Sequence, residues 1–463
     1  MSQSHQPRIP PLAAVCDYEA AQRPGYSVEQ SVDLLRRYHF LKKQLVQLAT
    51  AHLNRTPEWE VKSALSLHAW LDAEHASWMA QRVGEMREPP LRLEDDPDAG
   101  LRALIEEMLR AHDTVELLSG IYRVLRPALL AAYQRHRRET NPLVDHATCR
   151  LLRFMILEEE EMIAWGKSAL VALLADDHSE QKRATGWEAH LTAYLDAAGG
   201  ITGEAQPEPA EKLPAPRARQ AYKLDLTPQR DRRFSGLFNT TTPADLVYVD
   251  ELRGFAERNL ALLFKRLREM DVPEVVAGIM AETRGKPWQY YHDMARQLWD
   301  EARHSMMGEV ALAQRGLDWT RLPINVTFSY KLNRWLTAEE RHILLYHIEQ
   351  SLMPAKVGKR LEWEIARGSG DPLSTTFHDF DWADEVLHVA IGRACLLAHL
   401  PGGREEAMAR APAIWQKLEA ALQSEPFPEQ DAREWWVAFA SAALGFPVEA
   451  VRQPENMWRP KTG

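Results

Sequence analysis

The segments Asp300-Glu301-Ala302-Arg303-His304 and Asp384-Glu385-Val386-Leu387-His388 share one pattern, an Asp-Glu pair followed by a His three residues after the Glu. Residues three apart lie on the same face of an α-helix, so each segment would place a carboxylate beside an imidazole. Both groups are ligands that a divalent transition metal accepts. The repeated spacing therefore predicts two helices that contribute to one metal site.

Two further glutamates stand on apolar helix faces, one between these segments and one before them. Glu349 has Leu345 and Leu352 at helical spacing, and Glu257 has Leu260 at the same kind of spacing. A carboxylate on an apolar face is costly unless a cation neutralises it, and four glutamates balance two divalent cations. We expect a metal site with these ligands: Glu257, Glu301, His304, Glu349, Glu385 and His388. On the first of these helices Glu251 is the alternative to Glu257.

Apolar residues recur at spacings of three and four through most of the chain, and strand signals are scarce. The pattern predicts long helices at 27–51, 59–86, 101–138 and 146–175, and again at 244–270, 287–315, 338–366 and 377–397, with two shorter ones after them. Between the two sets, residues 203–217 hold four prolines among charged residues, which predicts an exposed linker. The predicted organisation is an N-terminal tail (1–26), a first bundle (27–200), a Pro-rich linker (201–242), a second bundle (243–400) and C-terminal helices with a tail (401–463).

The two halves carry similar segments in the same order. Trp70 to His75 resembles Trp299 to His304, Pro127 matches Pro354, and Ala164 to Lys167 resembles Ala390 to Arg393. The offset between matching positions drifts by only three residues over almost a hundred, which indicates an internal duplication. The predicted fold is all-α, with two tandem four-helix bundles.

The first bundle does not repeat the whole set of ligands. Asp72 and His75 match Glu301 and His304, but Tyr122 falls opposite Glu349. On the fourth helix the matching pair is Glu159 and Met162 in one register, or Glu158 and Glu161 in the other. Tyr and Met are not expected ligands for iron or manganese, so we favour a degenerate copy that keeps the fold. The alternative is a second, different metal site built from Asp72, His75 and residues 158–161.

Composition narrows the functional classes. Lys and Arg number 56 against 66 Asp and Glu, a net charge of −10, which disfavours nucleic acid as a partner. No apolar run approaches the roughly 18 residues of a membrane span, and the polar start of the chain does not favour a secretory signal. The three cysteines are far apart, which argues against a disulfide framework and suits a reducing cytoplasm.

The order Glu, Glu-x-x-His, Glu, Glu-x-x-His resembles the ferritin-like di-metal carboxylate bundles. The fuller Asp-Glu-x-Arg-His string resembles that of the oxygen-activating members, the bacterial multicomponent monooxygenases and similar acyl desaturases, although no Arg precedes His388. The resemblance covers roughly residues 244–397 and, more weakly, the first bundle. It implies that the Glu and His residues of the two segments bind iron, and that Asp300, Arg303 and Asp384 form an outer hydrogen-bonding shell.

The resemblance implies a cytoplasmic non-haem di-iron oxidoreductase, an oxygenase or oxidase that uses dioxygen to oxidise a small organic molecule. Two iron ions are the expected cofactor, and manganese suits the same ligands. The residues expected to take part in catalysis are Glu301, His304, Glu349, Glu385 and His388. A ferroxidase of the iron-handling kind and a metal-free helical scaffold are the alternatives. The electron donor is not specified, no membrane partner is expected, and a homodimer is left open.

Overall fold

The computed structural model describes residues 9–87, 99–175, 177–205, 207–209, 212–238, 246–354, 358–425, 434–445, 447–448 and 451. Within these ranges the regular structure is helical and includes no β-strand, so the predicted all-α class is confirmed. The chain separates into two compact units, Met1–Leu48 with Leu71–Lys223, and Ala49–Trp70 with Leu224–Gly463. Among the described residues no single helix is long and apolar enough to span a membrane. One sharply bent pair, Pro372–His399 with Gly403–Ser424, passes that test by length and composition only.

Several helices before the unit boundary near residue 223 begin where an aspartate side chain caps them. Asp113, Asp145 and Asp177 each accept a hydrogen bond from a backbone N–H of the first turn that follows. The helices are α1 (Tyr18–Ala21), α2 (Val28–Leu53), α3 (Trp59–Met86), α4 (Ala99–Met108), α5 (Thr114–Ser119), α6 (Arg126–Glu139), α7 (His146–Leu174) and α8 (His178–Ala197), with a π-helical turn at Gly120–Leu125. Residues 49–70, at the end of α2 and the start of α3, belong to the second unit.

The second unit contains the helices that carry the two Asp-Glu-x-x-His segments. They are α9 (Phe255–Arg268), α10 (Asp271–Glu282), α11 (Trp288–Gln314), α12 (Thr327–Trp335), α13 (Ala338–Ser351), α14 (Lys359–Gly368), α15 (Pro372–Cys395), α16 (Gly403–Ser424) and α17 (Glu434–Leu444). The sequence predicts one helix over 338–366, but the structure ends α13 at Ser351 and starts α14 at Lys359. Gly358 between them has φ +83°, a conformation that favours glycine and turns the chain.

Helix packing in the second unit brings five helices together, α9, α11, α13, α14 and α15. Helix α11 packs against α9 and α15, and α15 packs against α13 and α14. A glycine stands one turn after each histidine of the two segments, at Gly308 and Gly392. A Cβ on Gly308 would lie 2.2 Å from the backbone nitrogen of Leu267, and one on Gly392 would lie 2.5 Å from the Tyr346 ring. The missing side chains let α9 and α13 approach the segments closely.

Part of the predicted linker is buried. No α-helix occurs in its described residues up to 238, yet the guanidinium group of Arg230 and the ring of Phe234 are both buried. Phe234 packs with Trp59, Leu263 and Leu312 in the hydrophobic core of the second unit. The part of the predicted linker after residue 223 therefore packs as part of the second unit.

Candidate metal centre

Three carboxylates and one imidazole converge at the centre of the second unit. Glu301 of α11, Glu349 of α13, and Glu385 and His388 of α15 are buried, and each offers a ligand atom within 4.8 Å of the others. The Nδ1 atom of His388 lies 3.2 Å from Glu301, 3.6 Å from Glu385 and 3.8 Å from Glu349. Four of the six predicted ligands therefore lie together.

His304 lies beside this group and shares Glu301 with it. Its Nδ1 atom is 3.5 Å from the Oε2 atom of Glu301, whereas His388 faces the Oε1 atom of the same carboxylate. The two imidazole rings are 5.9 Å apart between centroids. The Nδ1 atom of His304 also lies 3.3 Å from Asp381 and 4.0 Å from Glu269. Glu301 thus stands between two neighbouring groups of candidate ligands, one around each histidine.

The other nitrogen of each imidazole faces the aspartate of the opposite segment. The Nε2 atom of His304 lies 3.1 Å from Asp384 on α15, and Nε2 of His388 lies 3.5 Å from Asp300 on α11. Arg303 donates to both aspartates, at 2.6 Å and 2.8 Å. An aspartate that accepts from Nε2–H leaves the Nδ1 lone pair facing the cluster, which is how outer partners orient metal-ligating histidines.

Two of the buried carboxylates touch no cationic Lys or Arg side chain among the described residues. Glu301 contacts the two histidines, and Glu349 contacts His388 and accepts a hydrogen bond from Gln297 at 3.2 Å. Both residues are no more than 3% exposed. Burial of an unpaired carboxylate is costly, so the cluster has the charge and the donor atoms to fit divalent cations.

The protonation equilibria of the cluster report the same excess of negative charge. Burial and the neighbouring Glu385 raise the pKa of Glu349 well above its usual value. Burial lowers the pKa of His304, but Asp381, Asp384 and Glu301 outweigh it and raise the pKa to about 10. Both shifts have the direction that an excess of buried negative charge causes.

Cationic side chains hold the carboxylates on the other side of His304. Lys359 lies 2.7 Å from Glu385 and 2.9 Å from Asp381, and Arg266 contacts Asp381 and lies 2.7 Å from Glu269. Lys359, Arg266, Asp381 and Glu385 are buried, whereas Glu269 is partly exposed. Asp381, Lys359 and Arg266 were not among the predicted site residues. Lys359 lies on α14 and Arg266 near the end of α9, and the approach of these helices depends on packing and not on spacing in the sequence. Asp381 lies on α15, one turn before Glu385, so helical spacing could have indicated it.

Glu257 does not join the cluster. It lies in the first turn of α9, where Arg253 pairs with it and the indole N–H of Trp436 lies 3.4 Å away. The alternative, Glu251, is exposed in the turn before the helix. The carboxylate that this part of the chain brings to His304 is Glu269, directly after α9. Glu269 follows a run of basic residues, which by pattern alone resembles a solvated helix end.

The buried acids of the first unit lie beside cationic side chains. Asp72 and Glu159 are buried together with Lys42 and Arg126. The Lys42 ammonium group lies 2.7 Å from Asp72 and contacts Glu159, and Arg126 bonds to both carboxylates, at 2.7 Å and 3.1 Å. Two buried acids are thus balanced by two buried cations. Asp72, His75 and Glu159 offer ligand atoms within 4.8 Å of one another, as the alternative of a second metal site requires, but the charge of the two acids is already balanced by Lys42 and Arg126.

The remaining predicted residues of the first unit fit a structural role. His75 lies 2.5 Å from Glu158, and burial lowers the pKa of His75 well below its usual value. Glu161 is exposed, whereas Glu159 and Met162 are buried, so the face of α7 that turns inward follows the Glu159 register. A Cβ on Gly166 would lie 2.1 Å from the Tyr122 ring. A Cβ on Gly392 would meet the Tyr346 ring in the same way.

No known protein family, curated protein or solved structure matches this chain. The candidate metal centre is therefore defined by its own geometry and charge.

Proposed function

We propose that the centre of the second unit binds two divalent metal ions. Glu301 is the carboxylate shared between the groups around His304 and His388, and Glu349 and Glu385 complete the His388 group. In the His304 group, Glu269 takes the role that the sequence predicts for Glu257, and an ion there would displace Arg266 from this carboxylate. The observation that carries this proposal is the crossed arrangement of the histidines. Nε2 of His304 bonds to Asp384 and Nε2 of His388 lies 3.5 Å from Asp300, so that both Nδ1 atoms face the carboxylates.

We further propose that the metal is iron and that the protein is a dioxygen-dependent oxidoreductase of the ferritin-like type. Carboxylate and imidazole ligands suit iron, and bound iron would supply the electrons for dioxygen reduction. Arg303 donates to both Asp300 and Asp384, and so couples the orientations of the two histidines that these aspartates face. Gln297 donates to the Oε1 atom of Glu349, the oxygen that faces His388, and so helps to position this carboxylate.

The two units are proposed to derive from one ancestral bundle. The paired contacts of Tyr122 with Gly166 and of Tyr346 with Gly392 support common helix packing. In this interpretation the first unit is a degenerate copy in which Lys42 and Arg126 replace the metal ions. Its buried acids keep their charge balance without a cofactor, so all the metal is expected in the second unit.

The test is reconstitution of the full chain with Fe(II) under anaerobic conditions, followed by elemental analysis and dioxygen uptake. We expect two irons per chain and consumption of dioxygen. His304→Ala and His388→Ala should each lower the iron content and abolish the uptake. Glu257→Gln is the matched control and should leave both unchanged, because its carboxylate lies outside the cluster.

Other outcomes separate the alternatives. Continued oxidation of added iron far beyond two ions per chain would favour an iron-handling ferroxidase. Less than one metal per chain, for iron and manganese alike, would refute the metal centre and favour a scaffold. Two bound irons with no dioxygen uptake would keep the metal centre and refute the oxidoreductase. A loss of iron in Glu257→Gln would refute the ligand set.

A further inference from the structure

A strongly basic pocket lies on the first unit, away from its buried centre. Its volume is about 810 Å³, and it is lined by residues from the N-terminal segment, α6, the loop after α6 and the first half of α7. Six of the lining residues are basic: Arg23, Arg137, Arg138, His146, Arg150 and Arg153. The acidic side chain in the same lining is that of Glu160, which accepts a hydrogen bond from Gln134 at 3.4 Å.

The arginines of this pocket lack the partners that other arginines of the unit have. None of the five forms an ion pair within 4.0 Å with a described carboxylate. Arg150 and Arg153 instead lie over the Phe154 ring, 5.0 Å and 5.5 Å from its centroid. By contrast Arg135, on the same helix as two of them, pairs with both Glu139 and Glu204. In a chain with a net charge of −10, such a concentration of unpaired positive charge needs an explanation beyond solubility.

We propose that this pocket binds a small molecule that carries two or more phosphate groups. Arginine presents a planar fork of donors that matches phosphate oxygens, and five such forks exceed what one carboxylate or one monophosphate engages. The volume falls within the range of small-molecule sites, roughly 300–1,000 Å³. The concave shape and the negative net charge of the chain favour a compact ligand over a nucleic acid strand.

The test is calorimetric titration of the full chain with inorganic tripolyphosphate, in buffer of fixed ionic strength. We expect one site per chain and weaker binding of orthophosphate. The double variant Arg150→Glu with Arg153→Glu should weaken tripolyphosphate binding at least tenfold, and the milder Arg150→Gln with Arg153→Gln should weaken it by less. The control is Arg404→Glu, which changes an exposed arginine of the second unit that does not line the pocket and should leave the affinity unchanged.

A second readout locates the bound anion. Cys16 lines the same pocket and is half-buried. Burial raises the pKa of Cys149 to about 11 and that of Cys395 to about 12, so iodoacetamide should react first with Cys16. Bound tripolyphosphate should slow this alkylation. The proposal is overturned if tripolyphosphate does not bind, if Arg404→Glu weakens binding as much as the pocket variants do, or if binding leaves the alkylation rate of Cys16 unchanged.

Discussion

Replacement of Lys42 by methionine tests whether side-chain cations neutralise the centre of the first unit. The ammonium group lies 2.7 Å from Asp72 and contacts Glu159, and all three residues are at most 1% exposed. In Lys42→Met, Arg126 is left to balance two buried carboxylates alone. Removal of one partner of a buried ion pair typically costs about 3–5 kcal/mol, because the other charge stays buried.

This loss should be large enough to measure by thermal unfolding. For a unit of about 200 residues, each kcal/mol lowers Tm by roughly 2–4 °C, so Lys42→Met should lower it by about 6–20 °C. Circular dichroism at the helical minimum follows the transition. The control is Lys167→Met, an exposed lysine on α7 of the same unit, for which we expect a change within about 0.5 kcal/mol.

The compensating variant separates lost charge balance from lost packing. In Lys42→Met with Glu159→Gln, one buried acid and one buried cation remain, so most of the stability should return. The reasoning is refuted if Lys42→Met unfolds at the temperature of the unmodified protein, or if the double variant is no more stable than Lys42→Met alone.

Three further predictions address other parts of the chain. Asp384→Ala should weaken Fe(II) binding about 10- to 100-fold in a competition titration, because His304 loses the carboxylate that orients it. The control is Asp379→Ala, on the exposed side of α15, which should leave the affinity unchanged. Equal affinities of the two variants would contradict the outer role of Asp384. Gly166→Ala should lower the free energy of unfolding in urea by about 1–3 kcal/mol, because the added Cβ would overlap the Tyr122 ring. Gly186→Ala, whose Cβ would have no atom within 4 Å, should raise the free energy of unfolding by up to about 1 kcal/mol. A change of the same sign in both variants would refute the close packing at Gly166. Burial lowers the pKa of His136 to about 4 in the folded protein, so the unfolded chain takes up a proton first as the pH falls. The stability present above about pH 6.5 should therefore be lost towards pH 4. His136→Asn should flatten this part of the pH–stability curve, and an unchanged slope would argue against His136 as the cause.

The local features of the candidate site follow from sequence alone. The i, i+3 spacing of Glu301 with His304 and of Glu385 with His388 sets which side chains share a helix face, because that geometry is internal to one helix. Short-range signals such as the Thr337 and Glu340 capping box are of the same kind, and the structure contains that box. The all-α class likewise follows from periodicity within single segments.

Contacts between helices depend on packing that no local spacing encodes. Glu269 and not Glu257 meets His304 because α9 approaches α11 at Gly308, near the end of α9 and not at its start. Asp300 approaches His388 although the two residues are far apart in the chain. In the same way, Lys42 and Arg126 neutralise buried acids that are distant from them in sequence. Spacing along a helix thus determined which chemical groups are available, and the tertiary structure decided which of them meet, because convergence depends on where neighbouring helices come closest.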